Sequence, residues 1–135
     1  MEILFVAGFG PIVSEPQASE AFYAGTLGLS FKREGEYLHT EQLAGVKTFA
    51  LWPLSQAAES CFGTKTWPQE IPAPHAWLEF DVQDLQAATA ELKEKRYTLL
   101  VEARQESWGQ IVTRLLSPEG LLVGVTYTPW MRDNK

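Results

Sequence analysis

Two groups of side chains in this sequence have the residue types and the spacing of a ligand site. Trp77, Glu79 and Asp81 occupy alternate positions of the segment WLEFDV, so they point to one face of a predicted strand. His39 and Glu41 are also two residues apart on a predicted strand and share a face. On the wall of a groove, such a carboxylate can neutralise a cation, accept hydrogen bonds or act as a general base.

Both groups also have a structural explanation. Glu79 would have a purely structural role if it formed an ion pair with an inward arginine, such as Arg104 or Arg114, or accepted a hydrogen bond from a tryptophan N–H. His39 and Glu41 would form a metal or acid/base site only if Glu79 lay opposite them. The sequence leaves these alternatives open.

Tryptophan is frequent, with five in 135 residues, and aromatic surface is what proteins use to hold small organic ligands. Trp77 and Trp108 would stack on a planar ligand, and an acidic groove with aromatic walls favours a flat cation. Packing between the two halves of the chain, or between two protomers, would use the same residues. Trp52 and Trp67 flank a long connector, where either role is open.

Composition restricts the class of protein. A formal charge of −6 argues against a nucleic-acid partner, although a modest acidic excess also serves solubility. The single cysteine, Cys61, excludes an intrachain disulfide and a cysteine-based zinc site. We find neither a signal-peptide pattern nor an apolar run of the roughly 18 residues that a membrane span needs. We therefore expect a cytoplasmic protein that does not bind membranes.

Hydrophobic periodicity and turn residues predict two similar series of elements. The first contains strand 3–13, a helix from about residue 15 to Leu27, and strands 29–33, 37–41 and 46–52. The second contains strand 77–82, helix 85–95, and strands 97–102, 110–116 and 121–127. The proline-rich residues between them predict a loop or a short helix, which is long enough to be functional.

An internal repeat relates the two series. An offset of 69 residues places Val13 on Val82 and Ala18 on Ala87, as expected for a duplicated βαβββ unit. We predict one α+β domain over 1–135, with module one at about 1–55, a connector at about 56–75 and module two at about 76–130. Two such modules joined edge to edge make a curved, eight-stranded mixed sheet with helices on its outer face and a concave ligand groove.

Four segments in this order resemble the vicinal oxygen chelate superfamily of glyoxalases, extradiol dioxygenases and fosfomycin or bleomycin resistance proteins. The segments span nearly the whole chain and read VSEPQASEAFYAGTLGL from Val13, WLEFDVQD from Trp77, SWGQ from Ser107 and SPEG from Ser117. The resemblance implies the duplicated βαβββ fold. It also implies a groove that holds a small molecule.

The metal enzymes of this superfamily place His or Glu at four ligand positions, one on the first strand and one on the last strand of each module. Counting along this sequence puts Gly8, Trp77 and Gly124 at three of them and Phe49 at the fourth, or Thr48 or Ala50 after a slip of one residue. None of these is a usual ligand of a divalent metal. The resemblance therefore predicts no metal and no cofactor.

The remaining pattern resembles the bleomycin-resistance-like branch, whose members lack the metal, sequester a drug and form homodimers. The order of Trp108, Gly109, Pro118 and Gly120 carries this likeness, although Leu121 stands where the branch usually has Asn. We therefore predict a homodimer that binds a small organic ligand, possibly cationic or planar, without catalysis. The residues predicted to bind it are His39, Glu41, Phe49, Trp52, Trp77, Glu79, Trp108 and Gln110.

Two other hypotheses stay open at this stage. A metal-dependent lyase, isomerase or dioxygenase of the same superfamily would need a non-standard ligand set, which His39, Glu41, Glu79 and His75 could supply. Alternatively, side chains fill the groove and the dimer surface is the functional feature.

Overall fold

The first half of the chain contains four strands and one helix. A computed structural model describes residues 1–132, and all structural statements below concern that range. The elements of this half are strand β1 (Ile3–Val13), helix α1 (Pro16–Glu20, continued by a π-helical segment, Ala21–Thr26), and strands β2 (Lys32–Glu34), β3 (Tyr37–Thr40) and β4 (Thr48–Pro53).

The second half repeats this order after an inserted helix. Its elements are helix α2 (Leu54–Phe62), strand β5 (Ala76–Val82), helix α3 (Leu85–Glu94), strands β6 (Leu99–Gln105), β7 (Ile111–Leu116) and β8 (Leu122–Tyr127), and a short 3-10 helix (Pro129–Met131). Asp84 caps α3, because its carboxylate accepts a hydrogen bond from the Ala87 backbone N–H at 3.0 Å. Gly63 ends α2 in the left-handed conformation.

All eight strands form one mixed sheet in the order β2-β3-β4-β1-β5-β8-β7-β6. The two halves meet where β1 and β5 pair antiparallel within one chain. Phe9 lies opposite Leu78 at this seam, and the same two residues are equivalent at the repeat offset of 69. The seam is therefore a local twofold centre, and the α+β fold with an eight-stranded sheet is confirmed.

Helices α1 and α3 pack on the face that we call the outer face of the sheet. Under α1, the strands β1, β3 and β4 bury Val13, Leu38 and Leu51. Under α3, Val82 and Val125 contact Leu85 and Ala88 of the helix. Because each helix covers only its own half, the centre of the outer face is open, and Ile3, Val6 and Phe9 are exposed there.

Helix α2 packs on the opposite, inner face, a position that the sequence did not predict. Its residues Ala57, Ala58 and Cys61 are buried against the inward side chains Trp52 and Trp77. The first part of the predicted connector is therefore core structure. It closes part of the groove that the curved sheet leaves.

The inner face of β5 is more deeply buried than its outer face. Glu79 and Asp81 are 7% and 0% exposed, whereas Leu78 and Phe80 of the same strand are only half-buried. Alternation along a strand identifies which side chains share a face, but not what covers that face. In the folded chain, Arg114 and Gln110 contact Glu79, and Thr126, Thr128 and Arg132 contact Asp81.

Element boundaries differ most at two strands. The strand predicted at 29–33 is found at β2, because residues 29–31 lead into it and Phe31 packs beside the core under α1. The strand predicted at 97–102 begins at Leu99, after Arg96 adopts a positive φ of 67° at the end of α3. Within residues 1–132, no helix is both long and apolar enough to cross a membrane.

Candidate functional site

A cavity of about 530 Å³ lies on the inner face, between the two halves of the sheet and beside α2. It is bounded by strands of both modules, by the β6–β7 turn and by the 3-10 helix. Seven of the eight residues predicted to bind a ligand line it, namely His39, Glu41, Trp52, Trp77, Glu79, Trp108 and Gln110.

Glu79 is at the centre of a buried polar network in this cavity. Its Oε2 accepts a hydrogen bond from Arg114 Nη1 at 2.8 Å, and its Oε1 accepts one from Gln110 Nε2 at 2.8 Å. Gln110 Nε2 also lies 3.2 Å from Thr128 Oγ1. Both carboxylate oxygens of Glu79 are therefore used within the protein, and its charge is neutralised by Arg114.

Arg114 is almost completely buried, with 1% of its surface exposed, and it forms part of the cavity wall. Its guanidinium group lies 4.9 Å above the ring of Trp52. Its Nη2 is 3.6 Å from a carboxylate oxygen of Glu106. Its Nε has no hydrogen-bond acceptor among the described residues, so one buried N–H at the inner end of the site is unused.

Asp81 shares the inward face of β5 but has a different function. Its carboxylate accepts hydrogen bonds from the Thr126 hydroxyl, from the Thr128 backbone N–H at 2.9 Å and from Arg132 Nε at 2.9 Å. Arg132 also donates to the Val82 carbonyl at 2.7 Å. Asp81 thus fixes the C-terminal segment, which brings Trp130 and Met131 to the cavity wall.

The module-one wall of the cavity carries acidic and aromatic side chains. His39 Nδ1 lies 2.6 Å from Glu41 Oε2, and His39 Nε2 lies 3.8 Å from Glu34 Oε1. The rings of Tyr37 and His39 are stacked, with centroids 5.2 Å apart. Burial, followed by the negative charges of Glu79, Glu41 and Glu34, raises the pKa of Tyr37 far above its usual value, so its phenol stays protonated.

Four tryptophans border the cavity at two depths. Trp52 and Trp77 are buried and meet edge to face, with centroids 6.1 Å apart. Trp77 Nε1 donates to the Ala50 carbonyl at 3.1 Å. Trp108 and Trp130 are 52% and 57% exposed at the mouth, and Trp108 Nε1 donates to Gln110 Oε1 at 3.0 Å. A hydrogen-bond chain thus runs from the mouth to Glu79.

Glycines provide the space that these large side chains occupy. A Cβ on Gly8 would come within 2.5 Å of two ring carbons of Trp77. A Cβ on Gly124 would lie 3.2 Å from Cγ of Glu79. Trp77 and Glu79 therefore fit on the inner face because Gly8 and Gly124, the residues beside them, have no side chains.

The four family ligand positions do not form a metal site in this chain. The strand register places Gly8 beside both Thr48 and Glu79, and Glu79 beside Gly124. Of the alternatives for the fourth position, Thr48 faces inward beside Gly8, whereas Phe49 faces outward. Glu79, two residues after the counted position Trp77, is the one residue of a metal-binding type among these neighbours, and it already pairs with Arg114. Residues 1–132 contain no group of three or more His, Cys, Asp or Glu side chains that could hold a metal ion.

Phe49, His75, Cys61 and Trp67 do not line the cavity. Phe49 was expected to line the groove, but it packs on the outer face against Phe9, Tyr23 and Phe31, because it alternates with the inward residues of β4. His75 is exposed and does not line the cavity, so the ligand set that combined it with His39 and Glu79 is not assembled. Cys61 is on the buried side of α2, where its thiol packs in the core and burial raises its pKa to about 11.

Sequence analysis missed several residues of the cavity wall. Arg114 was considered only as a structural partner of Glu79, although its alternation with Gln110 and Val112 along β7 indicated an inward position. No sequence pattern indicated that Trp130, in the 3-10 helix, returns to the cavity. The other residues missed are Ala7, Glu34, Tyr37, Gln56 and Met131.

Comparison with known proteins agrees with the fold and the groove. The family model of the Glyoxalase/Bleomycin resistance protein/Dioxygenase superfamily matches residues 9–125. The chain belongs to this superfamily. A search of curated protein sequences found no significant match.

Solved structures share the fold at low sequence identity. A superfamily member from Vibrio splendidus 12B01 is 18% identical with a TM-score of 0.56, and the match covers 90% of this chain and 96% of that one. Methylmalonyl-CoA epimerase in complex with methylmalonyl-CoA and NH4+ is 15% identical with a TM-score of 0.58, covering 98% and 100%. A hypothetical protein from Bacillus halodurans C-125 is 16% identical with a TM-score of 0.59, covering 96% and 97%.

Proposed function

We propose that this protein binds a small organic molecule in the inner cavity without a metal ion and sequesters it, as in the bleomycin-resistance-like branch of the superfamily. The observation that carries the proposal is the content of the cavity, where Trp77 and Glu79 fill the space beside Gly8 and Gly124. Aromatic side chains and a neutralised polar network can hold a ligand by burial and hydrogen bonds, but they leave no set of metal ligands.

The likeness to this branch rests on the mouth of the cavity. The Trp108–Gly109 turn places an exposed indole there, and Gly109 has a φ of 99°, which a non-glycine residue rarely adopts. The exposed indoles of Trp108 and Trp130 at the cavity mouth are suited to pack over a bound ligand. A volume of about 530 Å³ accommodates a molecule of the size of a drug or a metabolite.

A thermal-shift screen tests the proposal. The purified protein is heated with planar cations, glycopeptides, thiol adducts and 2-oxo compounds, because a ligand that binds only the folded chain stabilises it by RT ln(1 + [L]/Kd). We expect stabilisation by at least one class, and we expect Trp77→Leu to abolish it. Absence of any shift would contradict binding.

Elemental analysis separates this function from the competing one, a metal-dependent lyase, isomerase or dioxygenase. We expect less than stoichiometric divalent metal in the protein as purified and after dialysis against zinc, manganese or nickel. Stoichiometric metal that is lost in Glu79→Gln would favour the metal enzyme.

We further propose that the protein is a homodimer that uses the centre of its outer face. Ile3, Val6 and Phe9 are exposed there, between α1 and α3, and they lie at the local twofold seam of the sheet. A second copy can cover the same patch by an isologous contact. Light scattering after size-exclusion chromatography should give twice the chain mass, and Phe9→Ser should give the monomer.

A further inference from the structure

We infer that the ligand is a flat cation whose positive charge lies at the acidic rim of module one, formed by Glu34 and Glu41, and not beside Glu79. This inference rests on the proposed function and adds to it the chemical class and the orientation of the ligand. The sequence left two roles open for Glu79, and the inference takes the structural pair with an inward arginine instead of the counter-charge of the ligand.

The inner end of the cavity is unsuited to a cation. Glu79 has a full-charge partner in Arg114 at 2.8 Å, and Gln110 occupies its second oxygen at 2.8 Å. Arg114, which is 1% exposed, also lines the cavity. A positive ligand group there would face a guanidinium.

The rim of module one carries negative charge and is suited to a cation. Glu34 and Glu41 both line the cavity, and their side chains keep 72% and 38% of their surface exposed. Both lie beside the largely buried His39, but among the described residues neither carboxylate pairs with a buried arginine or lysine. Lys32 offsets Glu41 in part, at 3.8 Å between Nζ and Oε1 and with its own side chain largely exposed. Two carboxylates against one ammonium leave the rim negative when His39 is neutral.

Aromatic faces extend from this rim towards the interior. The stacked rings of Tyr37 and His39 stand beside the two carboxylates, and Trp52 and Trp77 form the deeper wall. A flat ring can therefore lie against indole and phenol surfaces while its charge stays near the acids. Cation–π attraction adds to the charge preference when the ring itself is cationic.

A matched set of three probes tests this inference by calorimetry at pH 7.5. Quinoline is planar and neutral, N-methylquinolinium has nearly the same shape with a permanent positive charge, and quinoline-6-carboxylate is an anion. We expect N-methylquinolinium to bind about ten-fold more tightly than quinoline, and the carboxylate to bind more weakly than either. Raising the salt concentration should reduce the ten-fold ratio, because the rim is exposed.

Charge-neutralising variants locate the recognition. Glu41→Gln and Glu34→Gln should each reduce the preference for N-methylquinolinium about three-fold and leave the affinity for quinoline unchanged. Glu36→Gln is the matched control, since this residue is exposed in the turn between β2 and β3, does not line the cavity and changes the net charge equally. Thermal denaturation of each variant verifies that it folds. The two rim variants test the assignment separately, because each removes a different carboxylate.

The outcomes distinguish the inference from the function on which it rests. Equal binding of quinoline and N-methylquinolinium, tighter binding of the carboxylate, or an unchanged preference in both rim variants would overturn the rim assignment while cavity binding stands. If none of the three probes binds, the inference is contradicted, and the wider thermal-shift screen then decides the proposed function.

Discussion

Strands β1 and β5 are equivalent in the internal repeat, yet β1 contributes glycines to the inner face and β5 contributes large side chains. The repeat offset relates Gly8 to Trp77 and Gly10 to Glu79. Across the antiparallel seam, Gly8 lies opposite Glu79 and Gly10 lies opposite Trp77. One strand of the pair thus supplies the large side chains and the other supplies the space for them. Duplication produced the symmetric sheet, and divergence of the two central strands produced an asymmetric site.

The two halves of the cavity wall differ in the same way. In module two, Glu79 and Arg114 are buried and paired, and a single change there removes a partner from a buried charge. In module one, Glu34 and Glu41 are exposed and contact their partners only at the rim. We therefore expect substitutions in module two and on β1 to affect stability, and substitutions at the rim to affect ligand preference.

The largest effect is expected for Gly10→Ala on β1. A Cβ at this position would lie 1.9 Å from the Ala50 carbonyl oxygen and 2.9 Å from its carbon, and backbone atoms cannot rotate away. We expect a loss of about 4 kcal/mol in the free energy of unfolding, measured by urea denaturation. Gly25→Ala is the control, because nothing lies within 4 Å of its Cβ position, and it should change stability by less than about 1 kcal/mol.

A somewhat smaller loss is expected for Glu79→Gln on β5. The variant removes the closer counter-charge of Arg114, which is 1% exposed, so the guanidinium group stays buried with the Glu106 carboxylate, 3.6 Å away, as its remaining anionic neighbour. Breaking a buried pair from one side costs about 3 kcal/mol. Glu102→Gln should cost less than about 0.5 kcal/mol, because its pair with Lys93 is exposed. A similar loss in both variants would show that Glu79 and Arg114 are solvated in solution.

The smallest effect, a coupling energy, tests directly whether β1 makes room for β5. Gly8→Ala alone forces a Cβ to within 2.5 Å of the Trp77 ring, and Trp77→Leu alone loses the ring and its hydrogen bond to Ala50. In the double variant the smaller leucine leaves space for the new methyl group. Urea denaturation should therefore show a loss about 1 to 2 kcal/mol smaller than the sum of the single losses. Additive losses would mean that the two sites are independent.

Much of the fold could be predicted because local patterns encode it. Strand β1 is found at the predicted residues, and Asp84 caps α3 as its residue type and position indicate. The offset that relates Val13 to Val82 also relates Phe9 to Leu78, the pair about which the two modules are arranged at the seam, and the two modules join edge to edge as predicted. These features depend on residues close in sequence, or on a comparison of the sequence with itself.

Parts of the site could not be predicted because they depend on register and on long-range packing. Counting along the strands gave Gly8 and Trp77 as equivalent positions, but it could not show that Glu79 is the residue directly opposite Gly8 in the sheet. Phe49 was placed on the wrong face, since a slip of one residue reverses the face to which a side chain points. Helix α2 was expected to belong to a connector, and its inner position depends on contacts with Trp52 and Trp77 that lie far away in sequence.

The sequence by itself therefore determined the superfamily, the duplicated fold and the inward placement of Glu79, because alternation and repeat offsets follow from chain geometry. Only the tertiary structure decided what Glu79 does there. Arg114 reaches it from β7 and Gln110 reaches it from the start of the same strand, 35 and 31 residues away along the chain. Whether a carboxylate on a strand meets a ligand or an arginine depends on which strand becomes its neighbour, and sheet topology alone decides that.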